Sequence, residues 1–144
     1  MNSETGAQRL YKAFSRFQRI RWKPAPIEGL RYSEIPVLDS IRRSERGSLT
    51  ISEISGDLDL ASPTVTQMVN SLEKKGFVKR RTGKHDRRVV DVSLTPKGFQ
   101  VLEEADKRLL ATFTAMSEYL GEEDSRILAA IIDKIYSYFS ENKE

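Results

Sequence analysis

The residues best equipped for chemistry lie together between positions 62 and 88. Lys74, Lys75, Lys79, Arg80, Arg81, Lys84, Arg87 and Arg88 form a dense run of cations opposed only by Asp86. That segment carries a net +7, while the rest of the chain, with 16 basic and 20 acidic residues, stands at −4. A single-sign block inside an otherwise acidic chain repels itself, and a polyanionic partner is the simplest source of relief. Just upstream, Ser62, Pro63, Thr64, Thr66, Gln67, Asn70 and Ser71 lead into Lys74. Amides such as Gln67 and Asn70 can match an adenine edge with one donor and one acceptor, and the hydroxyls suit bases or phosphates. Taken alone, such residues could do no more than solubilise an exposed helix. The adjoining cations favour contact with double-stranded DNA.

Other chemistries fare worse. The chain of 144 residues has no cysteine, which excludes disulfides, thiolate metal sites and thiol redox sensing. A lone histidine, His85, leaves little for a metal site or a His-based relay, so no metal or cofactor is expected. Ser71-Leu72-Glu73-Lys74 fits a Ser-x-x-Lys pattern but lacks its companion motifs, and no glycine-rich phosphate cradle is present. The chain does not read as an enzyme. No apolar run approaches 18 residues, and the polar, then amphipathic start from Met1 to Phe17 lacks the core of a secretory signal. A cytoplasmic protein without membrane contact is expected.

The elements that must position these residues follow from periodicity and punctuation. A helix is expected from about Glu4 to Arg21, ending before Lys23-Pro24-Ala25-Pro26. A second should start at Ser33 as cap, with Pro36 in its first turn and Ile35, Val37, Leu38 and Ile41 inward. Arg42 to Ser48 reads as a polar loop. Thr50 and Glu53 form a capping-box pattern opening a short helix to about Leu58, and Asp59 suits a left-handed turn. Ser62-Pro63 then caps a helix that ends at Gly76, with Val65, Met68, Val69 and Leu72 on its core face. The stretches 77–81 and 89–94 alternate like strands of a hairpin. Thr95-Pro96 opens a long helix to Gly121, and a last helix spans about Glu123 to Phe139.

Two helices joined by a short turn and followed at once by a basic hairpin predict a mainly α fold with a small β-hairpin wing, a winged helix-turn-helix. Residues 1–32 and 96–144 are read as dimerisation helices flanking a DNA-binding lobe at 33–95. Their apolar stripes, including Phe14, Phe17, Phe113, Tyr136, Tyr138 and Phe139, exceed what that lobe can cover, although some of these residues could form intrachain core. Within the wing, Arg80, Arg81, Lys84, His85, Arg87 and Arg88 are the expected DNA contacts, with His85 either a tip contact or merely exposed. Asp86 is read as holding a neighbouring arginine, Arg88, through charge-assisted hydrogen bonds, against the alternative of an accidental acid in a loop.

From Leu49 to Gly98 the motifs Leu72-Glu73-Lys74-Lys75-Gly76-Phe77-Val78, Asp86-Arg87-Arg88 and Leu94-Thr95-Pro96-Lys97-Gly98 occur in an order that resembles the MarR family of bacterial transcription regulators. The resemblance implies a ligand-responsive repressor that binds a pseudo-palindromic operator as a homodimer, with Arg88 in the minor groove and Asp86 as its support. It also implies a small aromatic or anionic effector, in a pocket walled by Trp22, Tyr32 and Ile35. The chain departs from the family where Gln67 and Ser71 stand at positions often held by arginine, so the wing should carry more of the grip. Lacking cysteine, it falls outside the peroxide-sensing branch. The competing reading is a winged-helix module for protein–protein docking, which predicts no salt-dependent DNA affinity.

Overall fold

The computed structural model describes residues 3–20, 22, 24–83, 86 and 88–142. The first helix, α1 (Gly6–Phe17), starts from a capping box in which Thr5 Oγ1 accepts from the Gln8 backbone and Gln8 Oε1 accepts from that of Thr5. It stops short of the expected Arg21, because the backbone tightens to i→i+3 hydrogen bonds at Arg19 and Ile20.

The proline-rich connection then makes a tight turn that sequence reading did not anticipate. Ile27 and Leu30 exchange backbone hydrogen bonds of 3.0 and 2.9 Å around Glu28 and Gly29, whose φ values of 51° and 90° form a mirror-image turn. Both flanking side chains are buried. Ser33 is not the cap of the next helix. Tyr32–Glu34 instead form a 3₁₀ turn, in which the Glu34 carboxylate accepts from Arg31 N–H at 3.1 Å, and α2 (Ile35–Arg43) follows.

The polar loop is shorter than expected, because Ser48–Thr50 form a strand, β1. It pairs antiparallel with β3 (Val90–Leu94), which also pairs with β2 (Val78–Thr82), giving the order β1-β3-β2. The wing therefore belongs to a three-stranded sheet.

Between β1 and β2 lie α3 (Ile51–Leu58) and α4 (Ser62–Lys74). The expected capping box of α3 is present, with Thr50 Oγ1 accepting from Glu53 N–H at 3.1 Å, and Asp59 adopts the left-handed conformation. The cap of α4 is Ala61 rather than Ser62, a one-residue shift that leaves Pro63 in the first turn. Gly76 ends α4 at φ 80°.

Two helices complete the chain, α5 (Pro96–Leu120) and α6 (Glu122–Glu141). The α5 start is fastened to the end of α4. Thr95 Oγ1 accepts from Gly98 N–H at 3.0 Å and donates to the Gly76 carbonyl at 2.6 Å, while Thr95 N–H donates to the Phe77 carbonyl at 3.0 Å. A side chain at Gly98 would put its Cβ 2.0 Å from that same Phe77 oxygen, so only glycine fits.

The core joins α2, α3, α4, the sheet and the first turns of α5 around Leu38, Ile54, Val69, Leu72, Phe77 and Leu102. Ile27 and Leu30 from the connection also enter it, so this core draws on residues either side of 33–95. Among the described residues no helix is long and apolar enough to cross a membrane.

Candidate nucleic-acid interface

One face of α4 is fixed by burial. Val65, Val69 and Leu72 are completely covered and Met68 packs against them. At 3.6 residues per turn the opposite face must then present Pro63, Thr64, Gln67, Asn70 and Lys74, which are exposed together with Ser62. Thr66 and Ser71 are half-buried on its flanks. Gln67, Asn70, Ser71, Lys74 and Lys75 border an open concavity of about 360 Å³. The sequence-predicted reading face is thus assembled on one surface.

The wing is divided by strand alternation. Val78 is buried on the face of β2 that meets α4, so Arg80, two residues on, leans toward α4 as well. Its guanidinium donates to Asn70 Oδ1 and lies 3.8 Å from Glu73 Oε2. Lys79 and Arg81 alternate to the opposite face and are exposed. Arg80 therefore contacts α4 rather than standing out as a free cation.

Asp86 engages Arg88 by a different route from the one expected. Asp86 Oδ1 accepts from the backbone N–H of Arg88 at 2.9 Å, so it fixes the main chain before the arginine and not the guanidinium. Gly83 N–H donates to the Val89 carbonyl at 2.7 Å and Val89 N–H to that of Asp86 at 3.2 Å, which closes the loop beneath the tip. Arg88 is exposed, and among the described residues its side chain makes no ion pair. Lys84, His85 and Arg87 lie outside the described residues.

Sequence reasoning missed the residues that brace this surface. Glu34 is buried, and its Oε1 pairs with Lys75 Nζ at 2.6 Å across 41 positions, while Oε2 has no partner among the described residues. An acid between Tyr32 and Ile35 was the available signal. Arg46 bonds both Glu53 and Asp91, at 3.2 Å for the latter, tying the start of α3 to the central strand. That bond holds the Glu53 carboxyl below its ordinary range. On α2, burial raises the Asp39 carboxyl, but hydrogen bonds from Arg42 and Arg43 outweigh this and leave it lowered.

A cavity of about 250 Å³ lies between the connection and α5, lined among others by Pro24, Leu30, Tyr32, Ile35, Arg108 and Thr112. Tyr32 and Ile35 line it as expected. Trp22 does not, packing edge-on against Tyr32 at 5.5 Å and Phe113 at 6.0 Å. Beyond the cavity, no residue of α1 or α6 is buried within the single chain. Leu10, Tyr11, Phe14 and Phe17 on α1 are 59–75% exposed, and Ile131, Ile135, Tyr138 and Phe139 on α6 are exposed as well.

Residues 30–90 match the family model described as "MarR family". The HTH-type transcriptional repressor MdtR of Bacillus subtilis (strain 168) is 32% identical over 108 residues, spanning 75% of this chain and 68% of that repressor. Among solved structures, Streptococcus pneumoniae FabT in complex with DNA superposes with a TM-score of 0.70 at 23% identity, over 95% of this chain and 96% of FabT. Bordetella bronchiseptica BpsR, whose DNA binding is regulated by 6-hydroxynicotinic acid, gives 0.69 at 20% identity, over 92% and 99%.

Proposed function

This chain belongs to the MarR family, and on that premise we propose that it is a DNA-binding transcription regulator acting as a homodimer. The observation that carries the reading is the polar face of α4, turned outward by complete burial of Val65, Val69 and Leu72 and set beside the cationic wing. Ser62, Pro63, Thr64, Thr66, Gln67, Asn70, Ser71 and Lys74 enter the major groove. Arg81 and Arg88, with Lys84, His85 and Arg87, meet phosphates and the minor groove, where negative potential attracts guanidinium. Asp86 sets the main chain that carries Arg88.

The exposed apolar faces of α1, α5 and α6 are covered by a second copy, so two recognition helices address the half-sites of a pseudo-palindromic operator. Residues 1–32 and 96–144 form this dimer, and 33–95 supply the DNA-binding lobe. A small aromatic or anionic effector fits the cavity beside Tyr32 and Ile35, where Arg108 supplies a cation.

Duplex binding measured against salt tests the assignment. With about 6–10 phosphate contacts, affinity should fall about 10³–10⁵-fold between 50 and 200 mM salt. Arg88→Ala should weaken operator binding while leaving fold and dimer unchanged. Absence of duplex binding at low salt would favour a protein-docking module instead.

A further inference from the structure

Arg80 alters what Asn70 can read. A guanidinium has donors and no acceptor, so the Asn70 atom facing Arg80 Nη2 must be the amide oxygen Oδ1. Bidentate recognition of adenine uses both ends of the amide, the oxygen accepting from N6–H and the nitrogen donating to N7. With Oδ1 turned to Arg80, the nitrogen and its two hydrogens remain. Oδ1 keeps a second lone pair, but an adenine N6–H reaching it would abut the guanidinium hydrogens, donor against donor.

Several features hold this arrangement. Arg80 lies opposite the fully buried Val92 in the strand register, on the face of β2 that packs toward α4. Asn70 and Glu73 are one helical turn apart, so both reach the same guanidinium, Glu73 at 3.8 Å. Around the same concavity stand the Ser71 hydroxyl, the Lys74 ammonium and the Gln67 amide, all able to donate. The surface is therefore rich in donors. Guanine offers N7 and O6 as adjacent acceptors and thymine offers O4, whereas adenine sets a donor beside its N7.

We infer that Asn70 and Arg80 form one reading unit that selects guanine or thymine against adenine at the base facing Asn70. The inference rests on the DNA-binding function proposed above and carries it from the class of partner to the identity of a base. Arg80 acts here as a positioning residue, in addition to any phosphate it meets.

Selection from a randomised duplex pool, by the wild-type chain and by Asn70→Ala and Arg80→Ala, tests it. The wild type should enrich guanine or thymine at one position of each half-site. Asn70→Ala should reduce that preference by about fivefold or more, the loss of one good base contact. Arg80→Ala should move the same position toward adenine, because Asn70 regains its acceptor. A phosphate contact alone would instead lower affinity for all sequences alike. Adenine at the Asn70-dependent position of the wild type overturns the inference, as does an Arg80→Ala preference identical to the wild type's or an Asn70→Ala selection unchanged everywhere. Salt-dependent binding without sequence enrichment overturns the reading unit and leaves DNA binding intact. No binding to any duplex at low salt removes both.

Discussion

Gly98→Ala should destabilise the protein by about 2–4 kcal/mol, although it replaces the poorer helix former with the better. The added Cβ would lie 2.0 Å from the Phe77 oxygen, 3.0 Å from its carbonyl carbon and 3.3 Å from its Cα. A carbon–oxygen contact needs roughly 3.3 Å, so the start of α5 must retreat by more than about 1 Å from the backbone it is fastened to. The retreat stretches the bonds from Thr95 N–H to the Phe77 carbonyl and from Thr95 Oγ1 to the Gly76 carbonyl. Each is worth about 0.5–1.5 kcal/mol net, and overpacking adds about 1–3 kcal/mol. Alanine's helix propensity returns about 1 kcal/mol. Gly56→Ala is the control, since Gly56 is exposed and nothing lies within 4 Å of its Cβ position. That change should stabilise by up to about 1 kcal/mol. Urea denaturation at equal protomer concentration measures both, with the midpoint shifting and the slope unchanged. A Gly98→Ala protein as stable as the wild type would refute the close-approach reasoning.

Removing the cation from the buried Glu34–Lys75 pair should cost more than neutralising the acid. Lys75→Met strands a carboxylate that is only 4% exposed, at about 3–5 kcal/mol, whereas Glu34→Gln leaves a lysine that can still reach water; denaturation midpoints in the reverse order would contradict this. Phe14→Asp and Ile135→Asp should shift sedimentation from dimer to monomer, and a dimer that survives both would place the interface elsewhere. Stability should also fall in acid. The carboxyls of Asp39 and Glu53 are depressed in the folded state, so their contribution is complete above the ordinary values of 3.8 and 4.5 and is lost as pH drops through the lower folded values. Asp39→Asn should flatten that part of a stability–pH curve, and an unaltered slope would show that the Arg42 and Arg43 bonds do not persist in solution.

What could be read from the sequence was local. Thr50 with Glu53, Thr95 with Pro96, Asp59 and Gly76 each act within about four residues, and all behave as their chemistry requires. The core face of α4 followed from one period of 3.6. Features that join distant positions were not legible. Strand β1 has three residues, too few for an alternating pattern, and its partner lies over forty positions away. Ser33 looked like a cap because hydroxyls usually serve, but the Glu34 carboxylate reaches the Arg31 backbone first. The cation count made Arg80 one more wing contact to DNA, and only the side alternation of β2 reveals that it turns back to Asn70.

The end of α4 is where these distant contacts converge. Lys75 pairs with Glu34, whose neighbours Tyr32 and Ile35 line the cavity. The Lys75 carbonyl accepts from Lys97 Nζ at 3.0 Å, and the next two carbonyls, of Gly76 and Phe77, accept from Thr95. Three consecutive residues thus join α4 to the cavity wall on one side and to α5 on the other. Helix α5 is continuous for 25 residues, so a tilt at its exposed apolar end is carried to Thr95 without a hinge. The orientation of α4 is therefore set jointly by the cavity wall and by α5, through one ion pair and a short series of backbone bonds. A ligand that displaced Glu34 would act on the polar face of α4 without touching it, by an amount bounded by its preference for the displaced state.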